Sequence, residues 1–116
     1  MDGMYLIIFE GNAGTGAATL TFNNGIAYGF DEAGGVYDGS YRPGAQPGTM
    51  DVVLNVQMKA NQFTVAGGVS HPFDWSMQVT ATVPLGVPET TIIANTNLGP
   101  KIKANVKFMR HLPRAA

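Results

Sequence analysis

The stretch that decides the fold is "GAATLTFNNGIAYGF", residues 16–30. Apolar side chains recur at every second position on both sides of "NNG", residues 23–25: Ala18, Leu20, Phe22, Ile26, Tyr28 and Phe30. This period is typical of strands that bury one face. An Asn-Gly pair tolerates the positive φ angles of the tightest hairpin turns. The stretch therefore predicts two antiparallel strands joined by a tight turn.

The same alternation predicts strands along the rest of the chain. The predicted strands are 3–10, 16–22, 26–30, 36–41, 50–59, 75–83, 90–96 and 101–110. Fifteen Gly and seven Pro, many of them between these segments, favour turns over helices. The ambiguous part is 60–74, which could hold a short strand or one turn of helix.

Eight short strands, each with an apolar face, would leave two open edges if they formed a flat sheet. Closing the sheet on itself removes both edges, and about eight strands leave room inside for side chains or one small ligand. We predict an all-β fold: one domain, residues 1–116, forming an eight-stranded antiparallel lipocalin-like up-and-down β-barrel. One short flanking helix is compatible with this barrel, and a β-sandwich is the alternative fold.

A possible nucleotide-binding motif lies at the start of the chain. Gly11 and Gly16 have the spacing of a phosphate-binding loop, which requires a Lys and then a Ser or Thr after its last glycine. This chain has Ala17 and Ala18 there, and the alternation after Gly16 predicts a strand instead of an anion-binding helix N-terminus. We interpret the motif as a glycine-rich link between the first two strands.

Residues for catalysis or metal binding are sparse. The chain has no Cys, which excludes a disulfide, a thiolate zinc site and a cysteine nucleophile. His71 and His111 are forty residues apart and lack an acidic neighbour at ligand spacing. Asp38 would be a functional candidate if it were buried, but we expect it to face water because unpaired Asp is rarely buried. We therefore expect a protein that is not an enzyme and that has no cofactor or metal.

The positive charges concentrate near the end of the chain. Lys101, Lys103 and Lys107 alternate with apolar residues in the last predicted strand. They are typical of a solvated outer face, and an acidic partner is the alternative. The net charge of −1 and the absence of interleaved outward aromatics argue against direct binding of nucleic acid. Together with Arg42 in the proline-rich loop 42–48, these lysines are the candidate partner-binding residues.

Two aromatic residues are candidates for a ligand cavity. Trp75 begins the most regular strand, and Tyr28 lies in the third predicted strand. Either could form part of the wall of a cavity inside the barrel, although large aromatics commonly anchor an ordinary core.

The chain shows no sign of export or of membrane insertion. Its first residues lack a basic region, and no segment approaches the roughly 20 apolar residues of a membrane span. We predict a cytoplasmic protein.

Three segments resemble the GrlR-like family: "DGMYLIIFEGN" at 2–12, "GTGAATLTFNNGIAYGFD" at 14–31 and "VYDGSY" at 36–41. The founding member of that family is a negative regulator of type III secretion genes in enteric pathogens. The resemblance implies an eight-stranded lipocalin-like barrel with a flanking helix, and a homodimer. In the family, an acidic loop after the fourth strand captures a transcriptional activator.

The corresponding loop here, residues 41–48, contains Arg42 and no acid, so no family site residue can be transferred. We expect a non-enzymatic protein-binding regulator or adaptor that forms a dimer and is cytoplasmic. The alternative is a carrier or sensor that binds a small hydrophobic ligand inside the barrel.

Overall fold

A computed structural model of the chain describes residues 1–65 and 70–115. It contains eight strands: β1 (Gly3–Gly11), β2 (Gly14–Asn23), β3 (Ile26–Asp31), β4 (Val36–Pro43), β5 (Thr49–Met58), β6 (Trp75–Pro84), β7 (Glu89–Thr96) and β8 (Ile102–Arg110). Each strand pairs antiparallel with the next, and β8 pairs with β1 to close the barrel. The predicted all-β up-and-down barrel is confirmed.

The part of the chain that the structure describes contains no helix, so the flanking helix is not found there. The ambiguous segment 60–74 forms turns and irregular backbone where it is described, and its residues 66–69 lie outside the described residues. None of the described segments is a helix that could cross a membrane.

The turn at Asn24-Gly25 fixes which side chains point into the barrel. Asn24 and Gly25 have φ angles of 50° and 87°, as a two-residue hairpin turn requires. The turn pairs the inward Phe22 with Ala27 and pairs Asn23 with Ile26. Ala27, Gly29 and Asp31 therefore face inward, and Ile26, Tyr28 and Phe30 face outward.

One end of the barrel is closed by aromatic side chains. Phe22 makes edge-to-face contacts with Tyr5 and Tyr41, at centroid distances of 5.1 and 5.3 Å. The Tyr41 hydroxyl donates a hydrogen bond to Asp2, which also accepts from the Asn24 N–H. We call this end the closed end.

The opposite end carries the links between β1 and β2, β3 and β4, β5 and β6, and β7 and β8. The sequence predicts a glycine-rich link between Gly11 and Gly16. In the structure this link contains only residues 12–13, and Gly14 already begins β2, so no helix begins at Gly16. The Ala13 N–H donates to the Val65 carbonyl at 3.0 Å, which ties this link to the β5–β6 connection. We call this end the open end.

The seam between β6 and β7, where these two strands meet, has the fewest paired residues of any strand pair in the barrel. These strands pair only through Val79 with Thr96 and Thr80 with Asn95, whereas β5 and β6 pair over their full length. Beyond Thr80 the two strands separate, and a groove forms on the outer surface. Val52, Ala81 and Ile92 line both this groove and the interior, so the wall is one side chain thick there.

Candidate functional site

The interior of the barrel contains an apolar cavity of about 190 Å³. Its walls are inward side chains of all eight strands, among them Ile7, Leu20, Leu54, Met77 and Val106. The alternation of β6 and β8 places Met77 and Val106 inside, as the sequence predicts. Such a cavity is unusual, because protein interiors are normally packed without voids much larger than a water molecule.

Small side chains leave this space open. Ala18, Ala81, Ala94 and Ala104 all line the cavity. A Leu or Phe at any of these positions would extend into it. The cavity is thus a consequence of specific residue choices on β2, β6, β7 and β8.

The mouth of the cavity lies at the open end of the barrel. It is formed by Thr15 and Gly16 of β2, by Asp31 to Ala33, and by Phe63, Thr64 and Val65 of the β5–β6 connection. Phe63 is 70% exposed and presents an apolar ring at this mouth.

Asp31 is the polar centre of the mouth. It is only 9% exposed, and its Oδ1 accepts hydrogen bonds from the Ala33 and Gly35 N–H groups at 3.0 and 2.8 Å. Its Oδ2 accepts a hydrogen bond from the Tyr37 hydroxyl at 2.9 Å. A Cβ at position 35 would lie 2.6 Å from Oδ2, so Gly35 makes room for the carboxylate.

Tyr37 keeps its proton in this environment. Burial, together with the charge of Asp31 and the hydrogen bond to it, raises the pKa of the Tyr37 phenol above its usual range. The hydroxyl therefore acts as a permanent donor to Asp31. Its own oxygen lone pairs are left to accept.

A second carboxylate lies on the rim. Glu32 accepts a hydrogen bond from the Ala17 N–H through Oε1, at 3.2 Å. Ala17 occupies the place where a phosphate-binding loop would have its lysine. The segment with the glycine spacing of a phosphate-binding loop therefore lies beside a carboxylate, which would repel a phosphate.

The two aromatic wall candidates do not line this cavity. Tyr28 is 41% exposed on the outer face of β3, so its prediction as a wall residue is wrong for this cavity. Trp75 faces inward and packs against the core, but it lies beside the cavity and not along it. Its indole N–H has no hydrogen-bond partner among the described residues, and His71 packs edge-on against its ring.

The four basic candidates do not form one surface. Lys103 and Lys107 lie on the outer face of β8, and Lys101 directly precedes that strand. Arg42 lies on β4, which is four strands from β8 in either direction around the barrel. Arg42 and the three lysines therefore belong to opposite sides of the molecule.

Acidic residues neighbour the lysines of β8. The register pairs Lys103 with Glu10 of β1 and Lys107 with Glu89 of β7. Asp38 is exposed on β4, as expected from its sequence. Among the residues in 1–65 and 70–115, no group of three His, Cys, Asp or Glu is arranged to hold a metal ion.

Sequence reasoning missed the residues that matter at the mouth. Asp31 begins "DEAGG", residues 31–35, whose composition is typical of a turn, and it does make turn hydrogen bonds. The register of the Asn24-Gly25 turn was the available signal, because it places every second residue from Ala27 to Asp31 inside. Phe63 carried no signal, since it lies in a connection without periodicity.

No protein-family model matches the chain, and no curated protein matches its sequence. Function must therefore be argued from the cavity and the outer surface alone.

Proposed function

We propose that the protein binds a small apolar molecule inside the barrel, as a carrier or a sensor. The observation that carries this proposal is the apolar cavity of about 190 Å³. An unfilled void of this size lowers stability by several kcal/mol relative to a packed interior. A ligand that fills the void recovers part of that free energy, so the cavity favours occupation.

The volume sets the size of the ligand. An apolar cavity of about 150 Å³ is enough to bind benzene or xenon. A substituted benzene ring or an aliphatic chain of similar volume therefore fits here. The ligand would enter at the open end, past Phe63, or through the separated part of the β6–β7 seam.

Filling the cavity with protein atoms should abolish binding. We expect Ala104→Leu to weaken binding of toluene at least tenfold, because the new side chain occupies the same space. The measurement is a toluene titration followed by NMR shifts of the methyl groups of Leu20, Leu54 and Val106.

The matched control is Ala45→Leu, which makes the same substitution in the exposed loop at the closed end. It should bind toluene like the original chain. Equal affinity of Ala104→Leu and Ala45→Leu would contradict the proposal, as would the absence of any shift in the original chain.

A second candidate function, binding of another protein, is supported by the outer surface. The outer sides of β1, β3 and the start of β4 carry Met4, Leu6, Ile8, Tyr28, Phe30 and Val36, which we call the outer apolar face. The register places Leu6, Phe30 and Val36 in one row, with Thr19 between the first two. Phe30 is 64% exposed, and exposed apolar patches of this kind mark interaction sites.

The charges beside this face fit a second copy of the chain. Lys103 and Lys107 flank it on β8, and Asp38 flanks it on β4. A two-fold axis parallel to the strands would place the β8 edge of each copy, with Lys103 and Lys107, against the β4 edge of the other copy, with Asp38. A regulator that captures another protein, as the GrlR-like resemblance implies, would use this face or the β8 lysines. The lack of Cys is compatible with a reducing, cytoplasmic setting for either function.

A charge at the centre of the outer apolar face should prevent dimerisation. We expect sedimentation equilibrium to show a dimer for the original chain and a monomer for Phe30→Glu, because the dimer would bury the new carboxylate without a partner. Phe63→Glu, at an exposed aromatic outside this face, should stay dimeric. A monomeric original chain at high micromolar concentration would contradict self-association through the outer apolar face.

A further inference from the structure

We infer that the cavity selects ligands with a protonated amine, or another strong hydrogen-bond donor, attached to a small apolar body. This inference rests on the proposed function and adds the chemistry of the ligand's polar end. It is carried by Asp31, which is buried at the mouth of an otherwise apolar cavity.

Four hydrogen-bond donors at the mouth are already engaged by the two carboxylates. The N–H groups of Ala33 and Gly35 point to Asp31 Oδ1, and that of Ala17 points to Glu32. The Tyr37 hydroxyl donates to Asp31 Oδ2.

Acceptor capacity, by contrast, remains. A carboxylate oxygen can accept two hydrogen bonds, and Asp31 Oδ2 accepts one from Tyr37. The phenol oxygen of Tyr37 can also accept. The site therefore suits a ligand that brings donors, and an ammonium group brings three.

The charged residues that line the cavity also favour a ligand with a positive charge. Its described lining contains Asp31 and Glu32 and no Lys, Arg or His. The Lys59 side chain lies beside Gly34 of the β3–β4 turn, but it is exposed and outside the lining. An anionic head would face two carboxylates with no basic side chain among the described lining residues, which costs affinity.

The test compares three ligands of nearly equal shape: benzylamine, toluene and benzoate. The proteins are the original chain, Asp31→Asn and Tyr37→Phe, each checked for folding by circular dichroism, and binding is followed by NMR titration. We expect the original chain to bind benzylamine at least tenfold more tightly than toluene and to bind benzoate most weakly.

The two variants should distinguish the effect of the Asp31 charge on ligand binding from the effect of the cavity's shape. Asp31→Asn keeps the shape but replaces the Oδ2 acceptor by a donor, so it should lose the preference for benzylamine while toluene binding stays within about threefold. Tyr37→Phe keeps the carboxylate and should keep the preference for benzylamine over toluene. It provides a second measurement if Asp31→Asn does not fold.

Three outcomes would contradict the inference. Equal binding of toluene and benzylamine by the original chain, or an Asp31→Asn variant that keeps the preference, would overturn the inference and leave the apolar cavity proposal standing. A failure of all three ligands to bind the original chain would overturn both.

Discussion

Gly39→Ala should destabilise the barrel by about 3 kcal/mol. A Cβ at position 39 would lie 1.9 Å from the Val53 carbonyl oxygen and 2.9 Å from the Leu54 Cα. Both atoms belong to the backbone of β5, so no side-chain rotation can relieve the collision. The added methyl group must push β4 away from β5 and weaken the ladder between them. Chemical unfolding in urea, followed by tryptophan fluorescence from Trp75, measures this loss.

Ser40→Val is the matched control for Gly39→Ala. It adds a larger group at the next residue, but that residue is exposed on the outer face of the same strand. The free energy of unfolding should change by less than about 0.5 kcal/mol. If Gly39→Ala were as stable as Ser40→Val, that result would contradict the close approach of the β4 backbone to the β5 backbone at Gly39.

Phe22→Ala should cost about 3–5 kcal/mol, the usual range for removing a fully buried aromatic ring. Phe22 is 2% exposed and contacts both Tyr5 and Tyr41 at the closed end. It also lines the cavity, so its removal would join new empty space to the existing void. The variant should therefore unfold at a lower urea concentration and accept larger apolar ligands than the original chain.

The control for Phe22→Ala is Phe63→Ala, the same substitution at a ring that is 70% exposed. It should change the free energy of unfolding by less than about 1 kcal/mol. Equal losses for the two variants would contradict the closed end as a packed aromatic cluster. A Phe22→Ala variant with unchanged ligand size selection would contradict the continuity of that cluster with the cavity.

The strands could be predicted from the sequence because alternation is a local property. Each half-buried strand repeats its apolar residues every second position, and Gly, Pro and Asn-Gly mark the turns. The closure of the sheet could also be predicted, because a flat sheet would leave two edge strands without hydrogen-bonding partners. The face of a strand is harder to assign, because apolar residues occur on both sides when the outer surface is also apolar.

Strand β3 shows this difficulty. Its large apolar residues Ile26, Tyr28 and Phe30 share a face, and that face points outward. Its inner face carries Ala27, Gly29 and Asp31. Hydrophobicity alone favours the opposite orientation, whereas the register of the two-residue turn gives the right one. The misplacement of Tyr28 and the oversight of Asp31 have this common cause.

The cavity itself could not be predicted from sequence. A void is the difference between the volume that the strands enclose and the volume of the inward side chains. The alanines that leave it open are compatible with a solid barrel of slightly different shape. The long-range contact that places Phe63 to Val65 at the mouth also has no local signature.

Crystallography under xenon pressure tests most directly whether the barrel interior is open. Xenon enters apolar cavities of this size without needing a polar partner. We expect one strong xenon peak inside the barrel, between Leu20, Met77 and Ala104, and no peak there in crystals of Ala104→Leu. An interior without xenon, filled by repacked side chains, would contradict a ligand-binding cavity and leave the outer apolar face as the functional surface.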